Sequence, residues 1–165
     1  MKKLHLFLAF LGLGFAMFPA KINDVARGLR NNNPLNIKEG ADGGDQWEGE
    51  HELDLDPTFE EFKTPVHGIR AGARILRTYF RQYGANTIET IIYRWAPPTG
   101  DNGEYENDTT NYIKNVSEWS GIDKDTPLDY RTYPAVIAAM IRMENGSNPY
   151  SDLEIRQGFE WGFYG

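Results

Sequence analysis

The sequence predicts a mainly α-helical single domain, and three observations carry that prediction. Apolar residues recur at helical spacing in several separate segments, most opened by a capping residue or proline and closed by glycine or proline. The 165 residues include no cysteine, so neither disulfides nor a thiolate zinc site can supply the framework. At 40% apolar composition the chain is long enough to bury one real core. No internal repeat, linker or second domain interrupts it.

Taken in order, residues 1–20 differ from everything that follows. Met1, Lys2 and Lys3 form a basic start, and 4–18 is almost wholly apolar apart from His5. Such a segment is a signal-peptide core or a short signal anchor, slightly under the roughly 20 residues that span a bilayer, with a buried N-terminal core helix as the alternative. Phe18 stands where cleavage before Lys21 would need a small residue, which favours a retained anchor or transmembrane helix. The positive-inside bias then leaves the N-terminus in the cytoplasm and the domain at 21–165 facing the periplasm or another membrane-enclosed space.

Residues 21–29 read as a short polar helical segment. The run Arg30-Asn31-Asn32-Asn33-Pro34-Leu35-Asn36-Ile37-Lys38 is too rich in Asn and Pro to continue it. Its amides suit either bonding within the loop or the hydroxyls of a sugar. Residues 40–45 form a turn, and 46–50 with 58–62 make two short strands of a small β-hairpin lobe. The acidic residues there do not match the spacing of a calcium loop, so no metal and no cofactor is expected.

From Pro65 the pattern is helical. Thr64 caps a helix over 65–83, with Ile69, Ala73, Leu76 and Phe80 on one face and Gly84 closing it. Thr87 caps a second over 88–95, which Pro97 and Pro98 terminate. A polar loop over 99–106 leads to Asp108, which opens a third helix burying Tyr112, Ile113 and Val116. A turn-rich connector over 121–132 precedes the most apolar helix, begun by Pro134 and stopped by Asn145-Gly146. A short helix over 152–159 and an aromatic tail finish the chain.

Composition narrows function. A net charge of −7 argues against a protein that binds nucleic acid by neutralising phosphates. Aromatic residues at 13% leave rings to spare for a sugar-binding cleft. Glu144 ends the apolar run of Val136, Ile137, Met140, Ile141 and Met143. A carboxyl group on an apolar floor loses hydration, which favours the neutral form that a general acid needs. A glutamate in a last helical turn also commonly faces water, and the residues alone leave both readings open.

The stretch IAAMIRMENGSNPYS at 137–151 resembles the catalytic helix of the bacterial soluble lytic transglycosylases, where an Ile/Ala-rich helix runs into Glu-Ser-Gly-Phe-Asn-Pro-Tyr. The match falls on Glu144, Gly146, Asn148, Pro149 and Tyr150, with Asn145 in place of serine. HGIRAGARILRTYFRQYGANTIETIIYRWAPP at 67–98 and DTTNYIKNV at 108–116 are similar to two further segments of that family. NNNPLNIK followed by WEGE is similar to a segment of the flagellar-type glucosaminidases, which share the lysozyme-like fold. In those families the glutamate helix comes first. Here it comes last, so the resemblance implies a circularly permuted lysozyme-like domain, which nearby termini at a domain surface permit. The Gly-Leu-Met-Gln segment that follows the family's catalytic helix is missing, and the Asn-rich loop stands in its place.

The resemblance implies a peptidoglycan lytic enzyme that cleaves the β-1,4 bond between N-acetylmuramic acid and N-acetylglucosamine. Glu144 would be the single general acid and base, giving a lytic transglycosylase, or a muramidase if a second carboxylate holds a water. Glu48, Glu50 and Asp56 are candidates for that second group. Tyr112 would orient the acid or the substrate acetamide. Trp47 and Trp95 would offer stacking faces, Asn33 and Asn36 rim contacts, and Asn148 and Tyr150 the remaining substrate contacts. The RNNNP-type opening is similar to that of phage and prophage structural proteins. This favours a phage origin, with peptidoglycan strands, a membrane and other virion proteins as partners. Two non-enzymatic readings stand beside it: a membrane-anchored structural or glycan-binding virion protein of lysozyme-like fold, and an anchored interaction scaffold.

Overall fold

The computed structural model describes residues 25–40, 47–53, 55–100 and 103–165. The expected anchor at 1–20 and most of the turn at 40–45 lie outside the described residues. Among those described, no helix is long and apolar enough to cross a membrane.

Six helices are present among the described residues: α1 (Arg27–Arg30), α2 (Pro65–Tyr83), α3 (Ile88–Trp95), α4 (Thr109–Ser120), α5 (Tyr133–Asn145) and α6 (Asp152–Tyr164). The protein is therefore mainly helical, as its apolar periodicity predicts. Local chemistry sets most of the boundaries. Thr64, Thr87 and Asp108 each accept a hydrogen bond from a backbone amide of the first turn of α2, α3 and α4. Gly84, Gly121 and Gly146 close α2, α4 and α5 in the left-handed conformation.

Three expectations need correction. No strand forms over 46–50 or 58–62 within the described residues; isolated antiparallel bridges join Lys38 to Phe59 and Glu50 to Phe62. The segments are too short and too polar to propagate a ladder, so the lobe is a set of turns. Of the polar helix expected over 21–29, residues 21–24 lie outside the described residues, and the described part holds a single turn, α1. The last helix does not end at Phe159 but runs to Tyr164, because the aromatic tail is its buried face. Ser151 and Glu154 form a capping box at its start, and Phe159 and Phe163 pack against Tyr133 at ring-centroid distances of 5.5 and 4.8 Å, the first stacked and the second tilted.

One core unites the helices. Ile69 and Leu76 of α2, Ile88, Ile91 and Ile92 of α3, Val116 of α4, and Ile137, Met140 and Ile141 of α5 are wholly buried. α2 and α6 form the most extensive helix pair, and α4 packs on α5. Leu35 of the Asn-rich loop is also fully buried, plugging that loop into the core beside Gly72. The early loop and the late helix α5 thus meet, with α1 against α5. The close approach requires Gly28, where a Cβ would sit 2.5 Å from Asn36 Oδ1 and 2.6 Å from Asn145 Oδ1.

Candidate active site

The convergence of the loop with α2, α3, α4 and α5 opens a cleft of about 1280 Å³ with Glu144 in its wall. Glu144 is half-buried in the last turn of α5. Its Oε1 accepts hydrogen bonds from the Tyr112 hydroxyl at 2.7 Å and the Trp95 indole nitrogen at 3.1 Å. Its Oε2 accepts from Asn36 Nδ2 at 3.1 Å. Three donors from three elements therefore fix one carboxyl group. An indole nitrogen and an amide nitrogen can only donate, so neither can take a proton from Glu144. About four lone-pair sites on a carboxylate leave one for a ligand once three are used.

Each donor is placed by a local device. Asn36 adopts φ 49°, a left-handed conformation that asparagine tolerates better than most residues. Asn33, one turn earlier, is wholly buried; its amide donates to the carbonyls of Ile37 and Glu60 and its oxygen accepts from Ile37 N. Asn33 is thus a strut for the loop rather than a rim contact, a correction that follows from its complete burial. Tyr112 is 6% exposed. Burial first, then the Glu144 charge and the hydrogen bond to it, push its phenol well above the ordinary value, so it remains a donor. Asn145 ties α5 to the loop by donating to Pro34 O at 2.7 Å and Ile141 O at 2.9 Å.

The other expected contacts divide. Trp47 and Trp95 both line the cleft, Trp95 adding the role of orienting donor. Asn148 and Tyr150 do not line it. Beyond the left-handed turn at Gly146 the chain leaves the cleft, and Asn148 Oδ1 accepts from Tyr150 N at 3.1 Å to shape the approach to α6.

None of Glu48, Glu50 and Asp56 lines the cleft either. Glu48 pairs with Arg70, and Glu50 accepts from the Trp47 amide. Asp56 is 8% exposed and bonded to the Arg27 guanidinium, to Asn31 Nδ2 at 2.6 Å and to the amides of Thr58 and Phe59. It is a fastener that holds α1 to the lobe. Among the described residues lining the cleft, the other carboxylate is Glu106, in the loop before α4 and 3.3 Å from Lys38 Nζ. The sequence offered no signal for it, because a polar loop acid looks like any solvated acid. No group of three metal-ligating side chains is assembled among the described residues.

Asp56 makes a pH prediction. The Arg27 hydrogen bond, against burial and with help from Asn31 and two backbone amides, holds its carboxyl far below the usual range. A carboxylate depressed in the folded state stabilises it above the unfolded pKa, about 3.9, and that contribution is lost as pH falls below it. The melting temperature should therefore drop more steeply between about pH 4.5 and pH 2 in the wild type than in Asp56→Asn. Parallel curves for the two would remove Asp56 as the responsible group.

No model of a known protein family matches the chain. It is similar over its whole length to Protein P5 of Pseudoalteromonas phage PM2, with 70% identity over 166 residues covering 100% of both chains.

Proposed function

The chain belongs to the family of the phage PM2 protein P5, and we propose that this phage protein is a peptidoglycan-cleaving glycosidase with a circularly permuted lysozyme-like domain. The observation that carries the reading is Glu144, a carboxyl group in a large cleft, oriented by Tyr112, Trp95 and Asn36. A cleft of this size accommodates several sugar rings, and its aromatic walls suit pyranose faces.

Protonated Glu144 donates its proton to the bridging oxygen as the bond from muramyl C1 breaks. The substrate's own acetamide shields the developing positive charge. The Glu144 carboxylate then removes the proton from the muramyl C6 hydroxyl, whose oxygen bonds to C1 and closes a 1,6-anhydro ring. Atoms and protons balance without a second protein group. Tyr112, Trp95 and Asn36 keep the carboxyl in place through both steps. In a phage protein, cutting the wall serves genome delivery or release of progeny, and the apolar segment at 1–20 would hold the domain to a membrane of the virion or host.

Mass spectrometry of muropeptides released from purified sacculi by the full chain tests the proposal. Anhydro-muramyl ends are expected, lighter by one water than the reducing ends of a hydrolase. Glu106→Gln should leave the rate within about threefold, since ring closure uses a substrate hydroxyl. Reducing-end products with a loss of about 100-fold in Glu106→Gln would instead assign Glu106 the water-positioning role of a muramidase. Binding to sacculi with no product at all would leave a glycan-binding protein.

A further inference from the structure

Arg74, Arg77 and Arg81 recur at helical spacing along α2, and all three line the cleft that contains Glu144. The arrangement is unusual in a chain with 24 acidic and 17 basic residues. Elsewhere cations meet carboxylates, as Arg27 does on Asp56, Arg70 on Glu48 and Lys124 on Glu89. None of the side-chain ion pairs among the described residues includes Arg74, Arg77 or Arg81. Arg74 and Arg77 each donate through Nη1 to an oxygen of Gly165, the last of the 165 residues, at 2.9 and 2.8 Å, while Arg81 carries the charge that is left unshared. That shared acceptor holds the two guanidinium groups side by side and uses one of the five donors on each. Burial first, and after it the charges of Arg81 and Arg74, lowers the pKa of Arg77.

A neutral glycan has no need of such a row. Peptidoglycan, however, carries a 3-O-lactyl arm on every muramyl ring, which ends either in its own carboxylate or in a stem peptide bearing several. We propose that Arg74, Arg77 and Arg81 form a subsite for carboxylates hung from the lactyl arm of the glycan strand. Planar guanidinium forks suit this task because they grip carboxylates through paired donors. The subsite restricts the substrate class to muramyl-containing strands and discriminates against chitin-like polymers of N-acetylglucosamine. The inference rests on the glycan reading of the cleft.

The test is equilibrium binding by the full chain of three short ligands that lack the scissile bond: N-acetylglucosaminyl-N-acetylmuramic acid carrying a tetrapeptide, the same disaccharide with a bare lactyl carboxylate, and chitobiose. The tetrapeptide ligand is expected to bind about tenfold more tightly than chitobiose, less so in high salt. Arg77→Gln/Arg81→Gln should reduce that advantage to about twofold, and Arg77→Lys/Arg81→Lys should retain part of it. Arg81→Gln alone should lower it about threefold; Arg81 is exposed and in none of the ion pairs, so folding is not at risk. A lactyl ligand that matches the tetrapeptide ligand assigns the subsite to the lactyl carboxylate itself. Equal affinity for all three ligands, or an advantage unchanged in both glutamine variants, overturns the inference. Cleavage of sacculi is read separately. Discrimination without cleavage sinks only the enzymatic proposal, and cleavage without discrimination sinks only the subsite.

Discussion

Glu144→Gln is expected to slow the release of soluble fragments from purified sacculi by about 10²–10⁴-fold, the usual contribution of a positioned general acid. Glutamine keeps the shape of the side chain, and its amide oxygen can still accept from two of the three donors that hold Glu144. It cannot give a proton to a leaving oxygen. The amide nitrogen would face one donor, so a melting temperature a few degrees lower is consistent with a folded but inactive protein. Turbidity clearing and fragment release measure the rate, and circular dichroism checks the fold. A variant that clears sacculi at the wild-type rate would remove Glu144 from the chemistry.

Gly162→Val should cost a large part of the protein's stability. A Cβ at Gly162 would lie 2.3 Å from the carbonyl oxygen of Arg70 and 2.7 Å from the Ala73 Cβ. Both belong to the helical framework of α2, so neither can rotate aside. Gly158, one turn earlier, meets Ile69 Cγ2 at 2.6 Å. The two glycines let α6 lie directly on α2, and any larger side chain at 162 forces the helices apart and opens the core at Ile69 and Phe159. Overpacking of this kind costs about 3 kcal/mol, roughly 6–12 °C in melting temperature for a domain of this size. Leu153→Ala on the same helix, at a residue 75% exposed, should stay within about 0.5 kcal/mol. Equal melting temperatures for Gly162→Val and the wild type would show that α6 is not docked as described.

The resemblance pointed to Glu144 and Tyr112, and the fold brings them to within 2.7 Å across 32 residues of chain. Trp95 was legible only as an aromatic ring beside two prolines; its role as a donor to Glu144 depends on where α3 ends relative to α5. Asn33 and Asn36 are indistinguishable in composition, three residues apart in one Asn-rich run. One is buried with its amide turned to backbone carbonyls, and the other reaches the carboxyl group. Gly28 gave no signal beyond its neighbours, because its importance lies in two side chains that crowd it from elsewhere in the chain.

By itself the sequence determined the helices α2 to α5 and their ends. A capping hydroxyl, a proline or a glycine acts on backbone groups within about four residues, so its effect can be read from the spacing. It also determined the single core and the absence of cysteine chemistry. Long-range packing alone selects which asparagine and which tryptophan bond Glu144 and which second acid shares its cleft, and it brings three arginines there too. The Asn36 to Glu144 hydrogen bond joins residues 108 apart. A contact of that range exists only after Leu35 and the isoleucines of α2, α3 and α5 have been buried together, because burial of apolar surface, which is not directional, sets the path of the chain.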